Sequence, residues 1–138
     1  MQESARVEQW LYTVLSGDAA LAALVSGVYG YLAPQDATPP WVTFTHQAGT
    51  DVMGVGTARV MTSFLYQVKA TGSGGSGAAL KPIADRIDAL LHGKSGTTAD
   101  GRIISCVREQ DLAMVEVDPS GVRWNHIGGI YRIQAQPL

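Results

Sequence analysis

The sequence has one cysteine, three histidines and few charges, and each shortage removes a class of function. A lone Cys106 has no partner for an internal disulfide. It sits in the apolar run IISCVRE, which reads as a buried small hydrophobe and not as a reactive thiol. His46, His92 and His126 are far apart and show neither HxH nor HExxH spacing, so no metal site is expected. Acidic and basic residues together make 16% of the chain, against about 25% in an average protein. The net charge is −2, with no basic cluster to neutralise phosphates, which removes the electrostatic case for nucleic-acid binding by a free monomer. No run approaches the roughly 18 apolar residues of a membrane span. MQESARVEQW lacks the charged start and apolar core of a signal peptide. A soluble protein made inside the cell, with no membrane partner, is expected.

What is present is apolar and patterned. Residues 1–138 are expected to form a single domain, long enough to bury a core without a disulfide or metal. With so little charge and 46% hydrophobic residues, part of the surface is expected to be covered by a partner. Val7, Leu11, Val14 and Leu15 recur at helical spacing beside Trp10. Ser16-Gly17 interrupts, and Asp18 caps a second short helix by accepting from the amide of Ala20 or Leu21. Ser26-Gly27 ends this bent element. Val28–Leu32 reads as a short strand, and Pro34, Pro39 and Pro40 forbid regular pairing after it. Trp41–His46 alternates, with Val42 and Phe44 on one face.

Residues 47–57 are glycine-rich and read as a long loop. Arg59–Ala70 is the longest strand candidate, with Val60, Phe64, Tyr66 and Val68 sharing a face. TGSGGSG, residues 71–77, reads as a flexible strand-to-helix connection. Leu80, Ile83, Ala84, Ile87, Leu90 and Leu91 then mark an amphipathic helix, with Pro82 tolerated in its first turn. Residues 92–102 read as a polar loop. Arg102–Glu109 and Leu112–Val117 read as two extended pieces. Asp118–Gly121 is a turn, and Trp124–Gln136 is a final strand with a bulge or kink at Gly128-Gly129. The fold class is α+β: a mostly antiparallel sheet of four to five strands against two helical elements.

The search for chemistry returns little. GVGTAR and GSGGSG each contain GxG, but the GKS of Gly93-Lys94-Ser95 follows a helix and does not open one, so the anion cradle of a phosphate loop is missing. Serines 16, 26, 63, 73, 76, 95, 105 and 120 lie in no nucleophile elbow. Asp85, Arg86 and Asp88 read as a solvated helix face. Catalytic, cofactor and metal residues are therefore expected to be absent, and the chain is not expected to be an enzyme. Apolar side chains on or near loops remain, and these mark interfaces more often than catalysis. Trp41, Asp51, Val52, Met53, Val55 and Trp124 are the interface candidates.

The ordered set Leu15, Asp18–Val25, Gly27-Val28-Tyr29, Ala33-Pro34-Gln35 and Pro40-Trp41-Val42 resembles the start of the phage tail-terminator, or head-to-tail joining, family of long-tailed phages. LKPIADRIDALLHG and Ile130-Tyr131-Arg132-Ile133-Gln134 sit where that family has its amphipathic helix and last strand. The resemblance implies a structural virion protein assembled in the host cytoplasm. It implies a ring of six copies on the head-proximal end of the tail tube that stops tube polymerisation. The ring's partners would be the tail tube protein and the head connector, and DNA would pass through without specific binding. A different neck component, a head-closure or adaptor protein, is the nearest alternative. A small ligand-binding α+β domain is the more distant one.

Overall fold

A computed structural model of the protein describes residues 2–75, 77–99 and 101–137. Ser76 and Asp100, within two of the glycine-rich stretches above, lie outside the described residues. The chain runs α1 (Gln2–Ser16), α2 (Ala19–Ala22), β1 (Val28–Gly30), β2 (Trp41–Met53), β3 (Arg59–Ser73), a 3-10 turn (Gly77–Leu80), α3 (Lys81–Leu91), β4 (Lys94–Thr98), β5 (Gly101–Val117) and β6 (Arg123–Pro137). Among the described residues one sheet carries six strands, in the order β1-β2-β3-β6-β5-β4, where four to five were expected. Every pair is antiparallel except β1 with β2.

The helices lie on one face of this sheet. Val7, Leu11 and Leu15 fall on one stripe of α1, and Ile83, Ile87 and Leu91 on one stripe of α3; all six are buried. They close on alternate residues of β3 and β6, namely Phe64, Tyr66, Val68, Tyr131, Ile133 and Ala135. The period-two pattern of β3 sends these side chains to the helix side and Leu65, Gln67 and Lys69 to the other. Asp18 caps α2, accepting from the Leu21 amide at 2.9 Å. Its carboxylate also takes both arms of Arg86 at 2.7 and 2.8 Å, which locks α2 to α3.

Several sequence expectations are corrected. The stretch 47–57 is not a loop throughout: β2 continues to Met53 after a bulge between His46 and Ala48. The cross-strand ladder to β3 supplies the order that glycine content concealed. Thr71–Ser73 extend β3 and are not linker. Residues 94–98 form an edge strand within the expected polar loop. The two pieces of β5 are one strand, bulged between Arg108 and Gln110. β1 stops at Gly30, because Tyr31 has a φ of +67° that no strand residue adopts.

Gly128-Gly129 carries no register shift on either side. The glycines serve a close approach instead: a Cβ on Gly128 would stand 2.1 Å from the Val68 carbonyl oxygen. Asp85, Arg86 and Asp88 are not simply a solvated face. Arg86 holds Asp18, and Asp88 accepts from the Tyr131 hydroxyl at 3.0 Å. His46, the last residue of the alternating run Trp41–His46, lies inside β2, stacked on Tyr66 with ring centroids 5.2 Å apart.

Candidate assembly interface

The six sequence candidates separate into two groups at opposite ends of the sheet. Asp51, Val52 and Met53 close β2, and Val55 sits at the tip of the β2–β3 hairpin. Trp41 opens β2 and Trp124 stands near the start of β6, facing Ser73 at the far end of β3. The structure thus brings Trp41 to Trp124, with ring centroids 5.5 Å apart, and keeps both away from the hairpin tip.

At the tip, Val55 is fully exposed between Gly54 and Gly56. Gly56 adopts a φ of +81°, which turns the chain tightly and leaves Val55 no neighbour to fold onto. Met53 beside it is 52% exposed. Asp51 is not free in the same sense: its carboxylate accepts from the Thr62 hydroxyl at 3.0 Å and faces Arg59 at 3.4 Å. Arg59 in turn reaches the buried Glu3 of α1 at 2.8 Å, so the hairpin stem is tied to the helix layer.

The tryptophan end forms a hollow on the helix-free face. Trp41, Thr71, Trp124 and His126 make its floor, and Glu116 to Asp118 of β5 make one wall, around about 180 Å³. The segment Tyr31–Gln35 overhangs the adjoining space. Asp118 fixes Trp124 by accepting from the indole Nε1 at 3.1 Å. The Ser120 hydroxyl, Trp124 and the Val122 amide hold the Asp118 carboxyl down at about 2. His126 pairs through Nδ1 with the Thr71 hydroxyl at 3.0 Å. Its Nε2 lies 2.6 Å from the Glu116 carboxylate. Burial first, and Lys69 second, push the His126 pKa down. Burial also lowers Lys69.

Sequence reasoning missed Lys69, His126 and the Tyr31–Gln35 overhang as neighbours of the tryptophans. The alternation of β3 and β6 placed Lys69 and His126 on the non-core face, but strand order was needed to put them beside Trp41. The Tyr31 hydroxyl donates to Glu8 at 2.6 Å, and Glu8 also accepts from Tyr66 at 2.9 Å. The bond to Glu8 first, and burial second, raise the Tyr31 hydroxyl to about 12, and that bond holds the strained turn that launches the overhang. Cys106 is buried, and burial pushes its thiol up to about 12, far from a reactive thiolate. Among the described residues no group of three or more His, Cys, Asp or Glu is placed to hold a metal. No described helix is long and apolar enough to cross a membrane.

The model of the family described as "Tail completion protein gp17" matches residues 9–127. The chain belongs to that family. It is a structural tail protein of phage-like particles. The fold is shared with a chain of a solved structure titled "Virion of native gene transfer agent (GTA) particle" at a TM-score of 0.80. The two chains are 19% identical, and the match covers 97% of each. No curated protein matches the chain.

Proposed function

We propose that this tail-completion protein caps the head-proximal end of the tail tube as a homo-hexameric ring, ends tube polymerisation and joins the tail to the head connector. Membership of the tail-completion family across residues 9–127 carries this reading. Trp41, Asp51, Val52, Met53, Val55 and Trp124 are the proposed contact residues. Their division between two ends of the sheet supports it, because a tube-to-connector adaptor must meet different partners at its two ends. A single unit, residues 1–138, performs the role without cofactor or catalysis. A cyclic ring also needs a heterologous interface, one patch meeting a different patch on the next copy, and DNA passes through its bore without sequence-specific contacts.

The placement is tested by fusing an epitope to the chain, complementing a deletion in the encoding genome and locating the epitope by gold-labelled antibody. Label confined to the junction of tail and head supports the reading. Label along the tail shaft or at its distal tip overturns it. Label on tail-free heads moves the chain to a head-closure or adaptor role.

A further inference from the structure

The sheet ends in two edges that its own strands leave half open. β1 pairs only with Val42–Phe44 of β2, and β4 reaches no further along β5 than Cys106. The Arg108 amide is then taken by His92 Nδ1 at 3.0 Å. Beyond these points, Gly49–Met53 of β2 and Asp111–Val117 of β5 have no third strand among the described residues. Neither stretch contains proline or lysine, two of the devices that blunt an edge. Val115 and Val117 are 52% and 68% exposed.

The direction of the open backbone groups follows from the turns. Asp118 donates its N–H inward to Val122 at 3.0 Å, and Gly54 donates inward to Ala58 at 2.7 Å. Counting back by alternation, Asp111, Ala113, Val115 and Val117 turn N–H and C=O outward from β5, as Gly49, Asp51 and Met53 do from β2. Gly49 and Asp51 stand opposite the buried Phe64 and Thr62. Ala113 and Val115 stand opposite Ile127 and Asn125, which face the 3-10 turn. Both sets of outward residues therefore carry their side chains toward the helix side.

From this match we infer that a second copy of this chain docks edge to edge, its Gly49–Met53 pairing antiparallel with Ala113–Val117. Strand direction alternates from β2 through β3 and β6 to β5, so β2 of the next copy continues that alternation. Directly opposed residues of an antiparallel pair share a face, and the helices of both copies then fall on one side of a continuous sheet. The register that sets Met53 against Ala113, Asp51 against Val115 and Gly49 against Val117 keeps the Asp51 and Asp111 carboxylates apart. The two surfaces differ, so the contact is head-to-tail and can close a ring. It rests on the ring reading above and supplies its interface.

The test uses the full chain. Ala113→Pro removes an outward N–H and leaves the internal β5–β6 ladder intact. Sedimentation should change from an oligomer in the wild type to a monomer in Ala113→Pro, with the circular dichroism spectrum and unfolding midpoint retained. A Met53→Cys chain mixed with an Ala113→Cys chain should form an inter-chain disulfide on mild oxidation, since opposed residues at about 5.5 Å suit that bond. Neither single variant alone should do so. Oligomers undiminished in Ala113→Pro, together with no mixed disulfide, overturn edge pairing and leave the ring reading standing. A mixed disulfide with epitope label on the tail shaft keeps edge pairing and removes the terminator role.

Discussion

Asp18 shows how much one side chain does here. It caps α2 and receives both arms of Arg86. The Arg86 guanidinium first, and the Leu21 amide second, hold its carboxyl at about 2, below the ordinary 3.8. A depressed carboxylate favours the folded chain above its unfolded pKa, and that contribution is lost as pH falls through the folded value. The wild type should therefore need more urea to unfold than Asp18→Asn above about pH 4, and the difference between the two should close as pH drops from about 4 toward 2. A urea series at each pH reads this directly, and a constant difference would contradict it. Leu11 is fully buried between α1 and the sheet, and Leu11→Ala should cost about 2–5 kcal/mol in the same assay. Gly128→Ala should cost more than the roughly 1–3 kcal/mol of ordinary overpacking, because the new methyl meets backbone that cannot move aside.

Among the elements, α1 and α3 were legible because helical period and burial coincide at Val7, Leu11, Leu15, Ile83, Ile87 and Leu91. The Asp18 cap was legible from its place before an alanine-rich run. The continuation of β2 past His46 was not. Ala48, Gly49 and Asp51 carry poor strand propensity, and their extension comes from pairing with Leu65, Phe64 and Thr62 of β3. β4 was hidden for the same reason, its Lys94–Thr98 being held by Arg102, Ile103 and Cys106 of β5. Of the site, exposure of Val55 and the nearness of Trp41 to loops were readable. The contact of Trp41 with Trp124 was not, because it depends on β2, β3 and β6 lying side by side. Val55→Asp at the exposed tip should change the unfolding free energy by less than about 0.5 kcal/mol. The same variant should abolish joining of tails to heads in complemented lysates. Full infectivity with Val55→Asp would show that the tip touches no partner.

For the whole molecule, low charge, two dissimilar ends and two open strand edges fit the proposed role of a part that works in an assembly. Its membership of the tail-completion family places that assembly in a phage-like tail. The central claim is that the chain stops the tube. The most direct measurement is to delete its gene from the encoding genome and measure tail lengths in the lysate by electron microscopy. The account predicts overlong, irregular tails with no heads attached, restored to uniform length by the wild-type chain supplied in trans. Tails of normal length, whether beside detached heads or on infectious particles, would contradict it.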